Sequence, residues 1–228
     1  MDSHSSHTES ANGVGAEQSP PPDSTEVANL IRTERLSLSF GEKIVLEEFS
    51  CTIPDSGVTA LSGPSGCGKT SLLRCLAGLQ TPDSGVIRGI TPAETAILFQ
   101  ENRLLPWRTV REHITDVLPP HRHEKNNFFL SLVQLEEESH AYPEQLSGGM
   151  GRRLALARCL ALDAELYLLD EPFTGIDLPR IHLLMDYLRG LPVPVLLSTH
   201  EPEVLSLAHR IITLDGPPLR AVQEGNQR

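Results

Sequence analysis

The segment Gly63-Pro64-Ser65-Gly66-Cys67-Gly68-Lys69-Thr70 narrows the possible folds more than any other stretch of this chain. It follows Val58-Thr59-Ala60-Leu61, which reads as a short strand, and precedes Lys69 to Ala77, whose residues favour a helix closed by Gly78. A glycine-rich turn in that position lets successive backbone N–H groups turn inward around phosphate oxygens. The helix behind it adds its positive N-terminal end. The spacing Gly63-x-x-x-x-Gly68-Lys69-Thr70 fits the phosphate-loop pattern. Lys69 is expected to reach the β- and γ-phosphates of ATP, and the Thr70 hydroxyl to bind Mg²⁺. Ser71 follows in the same helical turn and is counted with the nucleotide-binding residues.

The surrounding pattern is that of an α/β protein. Leu36, Leu38 and Phe40 alternate with polar residues, as do Phe49, Cys51 and Ile53, which predicts two half-buried strands joined by a turn at Gly41-Glu42. Further strands are expected near Val86-Ile87 and Ala96 to Phe99. From Gln100 to about Ala161 the alternation gives way to helical segments, at Val110 to Leu118, Asn126 to Leu135 and Ser147 to Leu160. Leu166-Tyr167-Leu168-Leu169 and Val193 to Leu197 are apolar runs of the kind buried on both faces of a parallel sheet. A helix from Pro202 to Ala208 and a strand from Ile211 to Leu214 complete a sheet covered on both sides.

Two carboxylates follow the first of those apolar runs. Asp170 and Glu171 stand at the C-terminal end of a central strand, where open α/β sheets bind their ligands. Asp170 suits Mg²⁺, and Glu171 can act as general base toward an attacking water. A second candidate anion site is Leu146-Ser147-Gly148-Gly149-Met150. There Ser147 suits a helix N-cap, and two glycines expose backbone N–H groups at a positive helix end. The plainer reading of that stretch is an ordinary helix cap with a flexible lead-in.

Composition excludes several classes. A net charge of −11 argues against general nucleic-acid binding, which needs a basic stripe. No apolar run approaches the roughly 20 residues that span a bilayer. Cys51, Cys67, Cys75 and Cys159 lack paired metal-ligand spacing and are expected as reduced thiols. Residues 1–27 have almost nothing to bury and are expected to form a flexible tail, with His4 and His7 bystanders in it. The ordered domain is then residues 28–228, with a helical subdomain at about 101–161.

Taken in order, the phosphate loop, Gln100, Leu146 to Met150, Asp170-Glu171 and His200 resemble the motif set of the ATP-binding cassette (ABC) transporter ATPases. The resemblance covers about residues 30 to 215. It implies a P-loop NTPase core with an N-terminal antiparallel β subdomain and an inserted helical subdomain. It also implies ATP hydrolysis coupled to transport. Phe40 then stacks on adenine, Gln100 contacts Mg²⁺ and the attacking water, His200 contacts the γ-phosphate, and Asp177 lies in a loop crossing between subunits. Two copies are implied, packed head to tail so that Ser147, Gly148 and Gly149 of one close over ATP held by the other. Met150 and Gly151 depart from the family pattern, which commonly has glutamine and then arginine or a similar residue. Glycine in the first helical turn costs about 0.5–1 kcal/mol against alanine, so slower turnover is the expectation.

Glu101 to Val110, reading ENRLLPWRTV, is similar to the importer ATPases that serve nitrate, sulfonate, taurine and related solutes. That subgroup implies a membrane permease partner, a solute-binding protein and a place on the cytoplasmic face of the membrane. Leu104, Leu105 and Trp107 are expected to form an apolar surface beside Gln100 for a permease helix. Alternatively, Trp107 plugs the join between lobes. His113 stands where the subgroup often has asparagine. Two other functional readings remain: a nucleotide-binding module with weak turnover, and an ABC ATPase outside transport.

Overall fold

A computed structural model describes residues 30–226 of the 228, so the expected tail and its two histidines lie outside the described residues. Three strands, β1 (Ile31–Phe40), β2 (Lys43–Ile53) and β4 (Ser84–Arg88), make an antiparallel sheet in the order β2-β1-β4. The second sheet contains β3 (Val58–Ser62), β5 (Thr95–Leu98), β6 (Leu166–Asp170), β7 (Val195–Ser198), β8 (Arg210–Asp215) and β9 (Arg220–Asn226). Its order is β5-β6-β7-β3-β8-β9, parallel throughout except for the last pair.

The period of two along each strand divides the apolar residues between two cores. Val58 and Ala60, Ala96 and Leu98, Tyr167 and Leu169, and Val195 and Leu197 face one side. Packed against them are α2 (Val110–Thr115), α3 (Asn126–Leu132), α4 (Gly148–Leu160) and α5 (Leu178–Arg189). Leu61, Leu166, Leu168, Leu196, Ile212 and Leu214 face the other side. There they meet Leu72, Leu73 and Leu76 of α1 (Lys69–Leu76), and the inner faces of β1 and β2. Strands β6 and β7 are buried at every position, as their continuous apolar runs require.

Two elements escape the sequence reading. Helix α5 is one, although Asp177 as N-cap, Pro179 in the first turn, and buried Ile181, Leu184, Met185 and Leu188 spell out a helix face. Strand β9 is the other; it pairs antiparallel with β8, as Asp215 opposite Arg220 shows. Helices α2 and α3 are also shorter than expected, ending at Thr115 and Leu132 rather than Leu118 and Leu135. Pro120 opens a tighter 3₁₀ turn between them.

All four cysteines are free and buried. Burial raises the Cys75 thiol to about 11 and the Cys159 thiol to about 12, so both stay protonated and unreactive. Leu168 has no exposed surface and lies on β6, paired on both sides by β5 and β7. Replacing it with alanine should lower the unfolding free energy by about 2–5 kcal/mol, read from urea denaturation.

Candidate functional site

The strand register decides where the predicted residues meet. Leu98 of β5 lies beside Leu169 of β6, Asp170 of β6 beside Ser198 of β7, and Ser198 beside Leu61 of β3. Four neighbouring parallel strands therefore end at one level. Beyond those ends come Gln100, Asp170-Glu171, His200 and the Gly63 to Thr70 loop. All but His200, which is joined to the group through Glu171, open onto a cleft of about 310 Å³. Phe40, Ser65, Gly66, Gly68, Lys69, Thr70, Ser71, Gln100, Asp170 and Glu171 line it, joined by Lys43 and Val45, which the sequence did not single out.

Local geometry explains the loop. Gly68 has φ 122°, a backbone conformation that side chains rarely adopt, and it sits at the N-cap of α1. The Lys69 ammonium reaches back across the loop and donates to the carbonyls of Gly63, at 2.7 Å, and Pro64, at 3.0 Å. Cys67 is fully buried behind the loop, in the core with Leu72 and Leu73. Phe40, at the end of β1, is half exposed at the cleft mouth.

Asp170 is the hub of the carboxylate cluster. Only 4% exposed, it accepts a hydrogen bond from Thr70 Oγ1 at 2.7 Å and another from Ser198 Oγ at 2.6 Å. Ser198 also accepts from the Glu171 backbone N–H at 3.0 Å. Its only sequence signal was a polar residue closing an apolar strand. Glu171 has φ 49°, uncommon for a residue with a side chain, and such outliers cluster at working sites. Its Oε1 lies 3.2 Å from Nδ1 of the exposed His200. Nearby, burial raises the Glu201 carboxyl above its ordinary range, opposed by His200 and reinforced by the Glu171 charge. Thr70, Asp170 and Gln100 together offer hard oxygen donors, the set that suits Mg²⁺. The cleft can thus hold phosphates on backbone N–H groups and a lysine, with a carboxylate–histidine pair at its edge.

Ser147, Gly148, Gly149 and Asp177 do not line this cleft. Ser147 caps α4 by accepting from Met150 N–H at 3.2 Å. A Cβ at Gly149 would stand 2.6 Å from the Gly175 carbonyl, so only glycine lets the helix start pack on that loop. A Cβ at Gly148 would meet nothing within 4 Å. Asp177 caps α5 through Arg180 N–H at 3.2 Å and pairs with the Arg180 guanidinium, whose hydrogen bond holds its carboxyl below the usual range. Gly151 has a packing reason: a Cβ there would lie 3.1 Å from Asn102 Nδ2, in the segment following Gln100.

That segment also corrects the reading of its apolar residues. Trp107 is 69% exposed and plugs no join, while Leu104 is half-buried against the core. Leu105 and Trp107 are thus the outward pair. The loop is tied down by His113, which is 2% exposed and accepts from Leu105 N–H at Nε2, at 2.8 Å. Its Nδ1 donates to the Thr109 carbonyl at 2.8 Å. This pattern requires neutral imidazole, and burial lowers its pKa from the ordinary 6.5, against the opposing Thr109 bond. A lowered folded value means stability present above 6.5 and lost as pH falls toward that value. Wild type should therefore lose more unfolding free energy than His113→Gln between about pH 8 and about pH 5. Equal losses would remove His113 from this role.

The family model for ABC transporters matches residues 46–174. The aliphatic sulfonates import ATP-binding protein SsuB 2 of Frankia alni is 44% identical over 185 residues, covering 78% of this chain and 74% of the relative. Its namesake from Rhodococcus jostii is 40% identical over 202 residues, covering 85% and 80%. In fold, a bacterial ABC transporter cassette solved as a dimer superposes with a TM-score of 0.77 at 24% identity, covering 87% of this chain and 99% of that one. Matched over more than half its length, and along most of each of these relatives, the chain belongs to the ABC transporter family.

Proposed function

We propose that this chain is the ATP-hydrolysing subunit of a membrane importer for a small solute of the nitrate, sulfonate or taurine type. The observation that carries the reading is the single cleft in which four level strand ends gather the phosphate loop, Gln100, Asp170 and Glu171. Relatives named for import of aliphatic sulfonates, at 40–44% identity, support the solute class. Residues 28–228 work as one ATPase domain, with about 101–161 as its helical part. It works at the cytoplasmic face of the membrane, held there by a permease that a solute-binding protein supplies. In keeping with that, no described helix is long and apolar enough to cross a membrane.

In the mechanism we infer, Gly63, Pro64, Ser65, Gly66, Cys67 and Gly68 present backbone groups to the phosphates, Lys69 neutralises their charge, and Phe40 stacks on adenine. Thr70, Asp170 and Gln100 would hold Mg²⁺, which when bound would offset negative charge on the phosphates. Glu171 takes a proton from the water attacking the γ-phosphorus as the bond from that phosphorus to the β–γ bridging oxygen breaks and ADP leaves, and His200 steadies both Glu171 and the γ-phosphate. Because Ser147, Gly148 and Gly149 stand apart from this cleft, a second copy supplies them in a head-to-tail dimer, with Asp177 near the crossing. ATP binding closes the dimer and hydrolysis releases it, moving the permease. Trp107 and Leu105 form the apolar contact for a permease helix.

Replacing Glu171 with Gln should cut ATP turnover by about 10²-fold or more while leaving an ATP-bound dimer visible by size-exclusion chromatography. Unchanged hydrolysis would remove Glu171 as the base. Trp107→Ala should leave nucleotide affinity intact and lower the amount of co-purifying permease by about tenfold. Unchanged co-purification would remove Trp107 from the permease contact.

A further inference from the structure

Arg152, in the second turn of α4, lies outside every motif discussed so far. It is 3% exposed, and its guanidinium reaches six neutral oxygens on two different strand ends. One nitrogen, Nη1, donates to the carbonyls of Phe99, at 2.6 Å, and Gln100, at 3.1 Å, and to Asn102 Oδ1 at 3.4 Å. Nη2 donates to the carbonyls of Asp170 and of Glu171, the latter at 2.8 Å, and Nε to that of Pro172 at 3.3 Å. One rigid fork thus spans the exits of β5 and β6, which carry Gln100 and Glu171.

Two observations give that fork a role beyond packing. The carbonyl it holds at Glu171 belongs to the residue with φ 49°, whose left-handed backbone needs outside support to persist. The fork is also mounted on α4, the helix capped by Ser147, so one side chain links that helix to both strand ends. Neighbouring Gly151 lets Asn102 approach α4 closely enough to join the network.

We propose that Arg152 is a positioning residue for ATP hydrolysis. It sets the Glu171 carboxylate and the Gln100 segment relative to each other, and it couples both to helix α4. The inference rests on the ATPase reading above, with Glu171 as the base. Lysine in its place keeps the charge but gathers its donors on one nitrogen, unable to hold both strand ends in one plane.

The test is steady-state kinetics on the full chain with Arg152→Lys, Glu171→Gln and the double variant. Arg152→Lys should lower kcat by about tenfold or more, with the KM for ATP changed by less than about twofold. Added to Glu171→Gln, it should cause no further loss, because the two act through one group. A wild-type kcat, a matched loss of kcat and ATP affinity, or full additivity in the double variant would overturn the proposal. If the lysine variant does not fold, Arg152→Gln, whose amide reaches fewer acceptors, takes its place with the same split read. The ATPase reading is judged separately. It falls if wild type does not hydrolyse ATP or if Glu171→Gln hydrolyses normally, whatever Arg152 does.

Discussion

The hydrogen bonds from Thr70 and Ser198 to the buried Asp170 carboxylate are what the rest of the site depends on. A carboxylate taken out of water is costly unless its oxygens are satisfied, and here one oxygen is met from the phosphate loop and the other from β7. That arrangement exists only because β6 lies beside β7, β7 beside β3, and all three run the same way. The same register brings Glu171 against Ser198 and His200. One polar cluster therefore ties together three strand ends far apart in the chain.

The sheet can hold those ends rigidly because it is apolar on both faces. Alternate residues of β3, β6 and β7 enter two separate cores, one built with α1 and the antiparallel sheet, the other with α2 to α5. Helix α1 carries the phosphate loop into the first core through Leu72, Leu73 and Leu76. Helix α4 carries the Ser147-Gly149 start from the second core, and Arg152 reaches from it to the strand exits. The two helix starts proposed to meet phosphate thus lie in different layers. This is the physical reason that one chain does not bring them to one cleft.

Much of the site was legible because its residues are local. Gly63 to Thr70 form a continuous turn whose conformation and chemistry follow from glycine, lysine and threonine in fixed order. Asp170 and Glu171 follow directly on their apolar strand. What escaped lay in side chains that work at a distance. Ser198 showed only as a polar end to β7, Lys43 and Val45 as ordinary strand residues, and Arg152 as one of several arginines on α4. Helix α5 was legible and missed, since Ile181, Leu184, Met185 and Leu188 already carried its face. Strand β9 was not, because an edge strand has few residues that must be buried.

By itself, then, the sequence determined the fold class, the phosphate-loop motif, the carboxylate pair and the family pattern, because each is written in neighbouring residues. Only the tertiary structure decided that Trp107 faces outward while Leu104 packs inward, and that neutral His113 pins the loop between them. It also decided that Asp177 caps its own helix and that Arg152 bridges Gln100 and Glu171. Those outcomes depend on which strands become neighbours and how far each helix lies from the sheet. No spacing along a chain records such distances.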